Sequence, residues 1–333
     1  MSHHAPAVSD ANTVAAHPQA LMLRNALLGV LLVLLIAAPF LVYPIFVMKL
    51  LCFALFASAF NLLLGYTGLL SFGHAAFFGG AAYFTAHSVK EWGVPPEIGL
   101  LIGMGGAAFL GLLMGLIALR RQGIYFTMIT LALAQMFYFF CLQAAFTHGE
   151  DGIQSVPRGH LLGFIDLSVT TNMYYFVLVA FLIAMAVIWR FVHSPFGMIL
   201  KSIRENENRA ISLGYSVVHY KLGAFVMSAA LAGLAGGIKA LVFQFATLTD
   251  VTWQMSGEVV LMTLLGGIGT ILGPIFGAGL VVALQNFLAT SDFPVTVITG
   301  VAVIVCLRLF RRGVIGEFYG SRIGRKLGFD HRV

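Results

Sequence analysis

Long apolar runs, almost free of charge, recur along the whole chain and limit the folds that it can adopt. Ten of them are evident, and they cover approximately residues 21–43, 48–65, 68–87, 98–119, 123–146, 173–192, 222–245, 257–268, 270–288 and 295–310. An α-helix needs roughly 20 apolar residues to cross a bilayer, and most of these runs reach that length. They lack the apolar and polar alternation of a transmembrane β-barrel. We therefore predict an all-α polytopic membrane protein.

The composition excludes the main soluble classes. Of the 333 residues, 59% are hydrophobic and only 10% are charged, whereas soluble domains carry about 25% charged residues. A water-soluble core of this length could not enclose so much apolar surface, which argues against a soluble enzyme and against a disordered chain. The net charge of +6 is typical of basic cytoplasmic loops, and it does not indicate nucleic-acid binding.

Two of the runs depart from a simple span. The third begins in a Gly-rich stretch and the eighth is too short to cross a bilayer. We expect Gly-broken or re-entrant helices at both places, and eight to ten crossings in total. Around this transmembrane domain of residues 21–310, we expect a polar tail over 1–20 and a basic cytoplasmic tail over 311–333. The first run is as long as a full span, which favours an uncleaved helix over a signal peptide.

Lysine and arginine are distributed unevenly between the two sides of the predicted bundle. If the N-terminus is cytoplasmic, the inner side holds 15 of these 19 residues and the outer side holds 3, while Lys239 falls inside a span. Positive residues accumulate on the cytoplasmic side of membrane proteins. Both termini and the loop 193–221 are therefore predicted to be cytoplasmic, and the loop 147–172 is predicted to lie outside.

The inner loop 193–221 is hydrophilic but has the pattern of a structured segment. Ser194 and Pro195 open it, and Gly214 stands where a helix commonly ends. Apolar residues are spaced among charged ones as in short amphipathic helices; they are Met198, Ile199, Ile203, Ala210, Ile211 and Leu213. Such helices either lie on the membrane surface or dock to a cytoplasmic partner, and the pattern fits both.

Four stretches of the sequence resemble one family of transport proteins. They are LLLGYTGLLSFGHAAFFGGAAY at 62–83, SIRENENRAISLGYSVVHYKLGAFVMSAALAGLAGG at 202–237, SGEVVLMTLLGGIGTILGPIFGAGL at 256–280 and LFRRGVIGE at 309–317. In their order and spacing they are similar to ABC-importer permeases of the branched-chain amino acid type, and specifically to the longer of the two permease subunits. The resemblance covers most of residues 60–317.

This resemblance implies a permease subunit in a bacterial inner membrane, forming the translocation path for branched-chain or related amino acids. The implied partners are a second homologous permease, two cytoplasmic ATPase subunits that bind the ATP, and a periplasmic substrate-binding protein. The residues that would couple the loop to the ATPases are Lys201, Arg204, Glu205, Glu207, Arg209 and Gly214. The chain departs from the general importer signature, which has Glu-Ala-Ala where this sequence has Asn208-Arg209-Ala210, but it keeps the glycine that follows.

The residues carry no motif for energy conversion or catalysis. No G-x-x-x-x-G-K-[ST] sequence occurs, so we expect no ATP site and no cofactor in this chain. The spans contain few of the acidic residues on which proton-coupled carriers depend, and no triad or carboxylate pair indicates an enzyme. Cys52, Cys141 and Cys306 lie in apolar runs, which indicates neither disulfides nor a metal site. A stand-alone channel or ion-coupled carrier for a small polar solute such as urea remains the alternative.

Polar and ionisable residues within the runs are the candidates for a substrate path. Those near the first Gly-rich stretch are Asn61, Tyr66, Thr67, Ser71, His74 and Tyr83, and those at helical offsets on the fifth run are Thr127, Thr130 and Gln135. All of them could instead serve helix packing and hydrogen bonding between helices. Lys239 and Glu258 are expected at similar depth near the outer side, where they would either pair across the mouth of the path or reach water independently.

Overall fold

The computed structural model describes residues 18–161, 163–288, 298, 300–301, 304–305, 308 and 313–320. The α-helices are Pro18–Leu41 (α1), Pro44–Thr67 (α2), His74–Lys90 (α3), Pro96–Ala118 (α4), Ile124–Gln143 (α5), Thr170–Val192 (α6), Pro195–Glu205 (α7), Glu207–Ser212 (α8), Val217–Phe243 (α9), Trp253–Gly266 (α10), Gly273–Leu288 (α11) and Val314–Gly320 (α12). Short 3₁₀ turns cover Ala145–Thr147, Gly149–Asp151 and Leu248–Val251. His160–Leu161 (β1) pairs antiparallel with Ile165–Asp166 (β2).

The predicted all-α polytopic class is confirmed. Five helices, α2, α4, α5, α6 and α9, have the length and apolar composition needed to cross a membrane, and α11 is a shorter apolar helix. The number of eight to ten crossings stays a prediction. The expected tails over 1–20 and 311–333 lie mostly outside the described residues, as do Cys306 and much of the last predicted run.

Helices α2 and α9 form the centre of the bundle. Most of the apolar stretch of each is buried, as expected of helices that are hydrophobic on all sides. α9 packs on α2, α3 and α4, while α2 also packs on α6 and α11. The outward sides of α4, α5 and α6 expose large apolar side chains such as Leu101, Phe139 and Ile183. These helices therefore offer their outer faces to lipid or to another apolar surface.

Glycines on α9 allow it to approach α3 and α4 closely. A Cβ added at Gly236 would lie 1.9 Å from the carbonyl oxygen of Phe78, and one at Gly233 would lie 2.3 Å from the Cβ of Ala107. Neither place has room for a side chain. Small residues at helix contacts increase van der Waals packing, which matters because lipid provides no hydrophobic drive between helices.

Two interruptions divide the helices near the places where the sequence predicts them. In the first break, residues 68–73, α2 is followed by Gly68 with a φ of 74° and α3 begins only at His74. In the second break, residues 267–272, Gly269 has a φ of 77°, a conformation that glycine adopts without strain. α10, which precedes the second break, has 14 residues and spans about 21 Å, less than a bilayer core of roughly 30 Å.

The two hydrophilic loops lie at opposite ends of α6. We call the end that carries α7 and α8 the loop face, and the end formed by residues 144–169 and 244–252 the cap face. On the cap face, Arg158 Nη2 donates a hydrogen bond of 2.8 Å to the carbonyl of Val242 at the end of α9. The long loop between α5 and α6 thus folds back over the bundle and caps a helix C-terminus.

Replacement of Gly236 by alanine is predicted to destabilise the bundle, because the added methyl group meets a backbone oxygen that moves only if α3 shifts. The expected loss in the free energy of unfolding is about 1–3 kcal/mol, the range typical of overpacked cores. Thermal unfolding of the purified protein in detergent measures this loss. Gly105→Ala on α4 is the matched control, since no atom lies within 4 Å of its added Cβ. Equal stability of the two variants would contradict the packing described for α9.

Candidate functional site

The first break runs between α5 and α10, whose hydroxyl groups bind its backbone. Thr127 Oγ1 donates to the Leu70 carbonyl at 2.9 Å, and Thr130 Oγ1 accepts from the Phe72 N–H at 3.2 Å. From α10, Ser256 Oγ donates to the Phe72 carbonyl at 2.8 Å. Irregular backbone packed between helices needs such partners because a buried N–H or carbonyl group without one costs free energy. The two threonines therefore link α5 to the first break. This agrees with the alternative in which these residues serve hydrogen bonding between helices.

The second break is held by one side chain of α2. Asn61 is 3% exposed. Its Nδ2 donates to the Thr270 carbonyl at 2.8 Å, and its Oδ1 accepts from the Gly269 N–H at 2.9 Å. An amide combines a donor and an acceptor in one short side chain, so Asn61 satisfies two backbone groups of the break at once.

His74 is fully buried where α2, α3 and α9 meet. Its Nε2 lies 2.8 Å from Ser228 Oγ, which itself donates to the Ala59 carbonyl at 2.6 Å. Because the serine proton is used on the carbonyl, we assign the imidazole proton to Nε2. Three aromatic rings contact the imidazole edge to face: Phe60, Phe77 and Phe225. These contacts give His74 a structural role in joining three helices.

The remaining path candidates make local contacts. Thr67 donates within its own helix, and Ser71 accepts from a backbone N–H inside the first break. Tyr83 is 1% exposed on α3, and Gln135 is half-buried on α5. In the described part of the chain, these contacts do not bring the four residues together into one polar site.

Lys239 does not pair with Glu258, so that prediction is wrong. Its Nζ lies 2.5 Å from Asp250 Oδ2, and the two side chains are 9% and 3% exposed. Thr247 Oγ1 donates to the same carboxylate oxygen at 3.2 Å. The reason is the 3₁₀ turn of the cap face, which brings Asp250 back against the end of α9, a return that residue spacing along the chain does not reveal.

Glu258 faces a different set of groups. The groups that act on its carboxylate are Gln285 of α11 and Lys49 of α2. Glu258 therefore faces the seam between α2, α10 and α11, and the carboxylate that pairs with Lys239 is that of Asp250.

Two of the six predicted coupling residues, the half-buried Lys201 and the exposed Arg204, contact the end of α2 from α7. Arg204 Nη1 donates to the carbonyl of Gly65 near the end of α2. Lys201 Nζ lies 5.6 Å from the centre of the Tyr66 ring, within the range of a cation–π contact. The predicted path residue Tyr66 therefore contacts the inner loop 193–221, which we call the coupling loop after its predicted role.

Glu207 fixes α8 to its neighbours. Its Oε2 lies 2.7 Å from Lys221 Nζ of α9, and its Oε1 accepts a hydrogen bond of 2.9 Å from Gln122 Nε2 in the turn between α4 and α5. Both carboxylate oxygens are thus used inside the chain. Glu207 is a poor candidate for a direct contact with another protein.

The outward surface of the loop carries the other three predicted residues. Glu205 and Arg209 are exposed, and Gly214 follows α8 with a φ of 87°. Large apolar side chains are exposed beside them: Met198 at 58%, Ile211 at 55% and Leu213 at 69%. The sequence pattern places these three with Ile199, Ile203 and Ala210 on the apolar side of amphipathic helices. Of the six, Ile203 and Ala210 are buried and anchor the loop. We call this exposed set the docking patch.

A cavity of about 520 Å³ opens between α1, α2, α6 and α11. Its lining is apolar, with Leu34, Leu51, Phe181 and Leu280 among the side chains, and none of the predicted path residues lines it. No group of three His, Cys, Asp or Glu side chains converges within the part of the chain that the structure describes. The cavity suits hydrocarbon better than a charged solute, since buried charges need polar partners.

The sequence between residues 44 and 309 matches the family described as the branched-chain amino acid transport system permease component. The chain belongs to this family. The match includes both breaks and the whole of α7 and α8, and the family is one of transport permeases and not of enzymes.

Two curated relatives are similar to the chain. They are the high-affinity branched-chain amino acid transport system permease proteins LivM of Salmonella typhimurium and of Escherichia coli K12. Each is 27% identical over an alignment of 277 positions, which covers 74% of this chain and 64% of the relative. No solved structure gives a significant match.

Removal of one charge from the buried pair on the cap face is predicted to destabilise the protein. Asp250→Asn leaves the Lys239 ammonium buried without its counter-ion, and the expected loss in the free energy of unfolding is about 3–5 kcal/mol. The double variant Lys239→Met with Asp250→Leu removes both charges and is expected to recover most of that loss. Thermal unfolding in detergent gives the values, with Glu258→Gln as the control. A loss at Glu258→Gln as large as that at Asp250→Asn would refute the assignment of the pair.

Proposed function

We propose that this chain is the permease subunit of an ABC importer in a bacterial inner membrane, and that it forms part of the path for branched-chain or related amino acids. The observation that carries the proposal is the family match over residues 44–309. The named activity of the relatives, high-affinity branched-chain amino acid transport, supplies the substrate class. The chain spans about two thirds of the length of those relatives, so the substrate is part of the proposal.

Separate ATPase subunits supply the energy in this proposal, and they dock on the loop face. The support is the docking patch, where Met198, Ile211 and Leu213 are exposed beside the charges of Glu205 and Arg209. Apolar anchors surrounded by polar groups are typical of protein interfaces. ATP is bound by these partners and not by this chain.

The loop face is cytoplasmic in our proposal, and both termini lie on that side. The support is the charge count, with 15 of 19 lysine and arginine residues on one side of the predicted bundle, since positive residues accumulate on the cytoplasmic side. The cap face then lies in the periplasm, where a substrate-binding protein delivers the amino acid.

A second homologous permease completes the path. An amino acid is a zwitterion, and its two charges need polar partners on the way through the membrane. The cavity described above is apolar, and the polar residues of both breaks are used in holding the backbone. We therefore place the path between two permease subunits, where the apolar outer faces of α4, α5 and α6 offer surface for their contact.

Reconstitution into proteoliposomes tests the proposal. With a second permease, the ATPase subunits and the binding protein, uptake of radiolabelled leucine is expected to require ATP and all the components. The leucine-loaded binding protein is expected to stimulate ATP hydrolysis, and an ATPase whose P-loop lysine is replaced serves as the control. Leucine uptake by this chain alone, or driven by an ion gradient without ATP, would instead support a stand-alone channel or carrier.

A further inference from the structure

The end of α2 carries a carbonyl that its own helix does not satisfy. The N–H that would reach the Gly65 carbonyl in a continuing helix belongs to Leu69, and it is directed to Thr67 Oγ1 at 3.4 Å. Arg204 of α7 donates to the Gly65 carbonyl instead. A cation at a helix C-terminus also interacts favourably with the helix dipole. Arg204 thus caps α2 from the coupling loop.

The same guanidinium lies against the second break. A Cβ added at Gly269 would be 3.4 Å from Arg204 Nη1 and 3.4 Å from the Gly65 carbonyl oxygen. One added at Gly65 would be 2.8 Å from the Cα of Gly269. The backbones of α2 and the second break are therefore in direct contact where Arg204 meets them. At the same contact Asn61, one turn earlier on α2, is hydrogen-bonded to Gly269 and Thr270 of the break. We call Asn61, Gly65, Arg204 and Gly269 the break junction.

The rest of the coupling loop is attached elsewhere. Glu207 and the buried side chains of Ile203 and Ala210 hold the loop against α9 and the turn after α4. On α7, Lys201 and Arg204 lie one turn apart, so both face the end of α2. Arg204 thus connects α7, which carries part of the docking patch, to Gly65 and Gly269 of the break junction.

We propose that Arg204 is a positioning residue that transmits movement of the coupling loop to the end of α2 and to the second break. This inference rests on the proposed function, in which ATPase subunits move α7 and α8. A guanidinium suits the task because its planar set of donors fixes direction as well as charge. When the loop shifts, the hydrogen bond carries the Gly65 carbonyl with it, and the contact between Gly65 and Gly269 passes the displacement to the break.

The test compares Arg204→Ala and Arg204→Lys with wild type in the complete transporter, with its second permease, ATPases and binding protein. Both variants are expected to assemble and to hydrolyse ATP within about twofold of wild type, while leucine uptake per ATP falls about tenfold, as for loss of a hydrogen bond to a charged group. Arg120→Ala is the matched control, because Arg120 is an exposed arginine in the turn beside α8. Uptake per ATP is expected to stay at the wild-type level in this control.

Uptake per ATP at the wild-type level in both Arg204 variants would overturn the inference. Loss of assembly in both would overturn it as well, since Arg204 would then hold the complex together without transmitting movement. Failure of wild type to couple ATP to uptake would contradict the proposed function instead.

A second measurement needs only this chain. It therefore distinguishes a failure of the inference on Arg204 from a failure of the proposed function. A nitroxide attached at Ile268→Cys, an exposed position in the second break, is expected to become more mobile in Arg204→Ala but not in Arg120→Ala. Equal mobility in the two variants would show that Arg204 does not restrain the break.

Discussion

Backbone hydrogen bonding at the two helix breaks is the constraint on which the rest of this structure depends. A buried N–H or carbonyl group without a partner costs free energy, so each interruption of a helix needs donors and acceptors from its neighbours. The first break takes them from Thr127, Thr130 and Ser256, and the second takes them from Asn61. Glycine then permits the close backbone contacts that bring these side chains within reach.

The two ends of the bundle use their charges differently. On the cap face the Lys239–Asp250 pair is buried and closes the end of α9. On the loop face Arg204 and Glu207 hold the coupling loop to three other elements, while the docking patch stays open. The cap face is thus closed by a buried ion pair, while the loop face has an exposed patch. This difference fits a protein on which partner subunits act from the loop face only.

Five of the spans and both breaks were predictable from the sequence, because apolar run length and Gly-rich interruption are local properties. The offsets of Thr127 and Thr130 also indicated a hydrogen-bonding seam. Their partner is a segment almost 60 residues earlier, and nothing in the spacing identifies it. The sequence did not identify Asp250 as the partner of Lys239 for the same reason. The 3₁₀ turn Leu248–Val251, and not helical spacing, brings the two side chains together. The partners of the charged residues in the coupling loop were equally hidden, because spacing does not identify Gly65 for Arg204 or Lys221 and Gln122 for Glu207.

Hydrogen–deuterium exchange of the two breaks tests the central claim most directly. If neighbouring side chains satisfy the breaks, the amides of Phe72 and Gly269 exchange slowly in wild type. Asn61→Leu then accelerates exchange in the second break alone, and Thr130→Val accelerates it in the first break alone, since each near-isosteric change removes one set of partners. Rapid exchange of both breaks in wild type, or an unselective response to the two variants, would contradict the account.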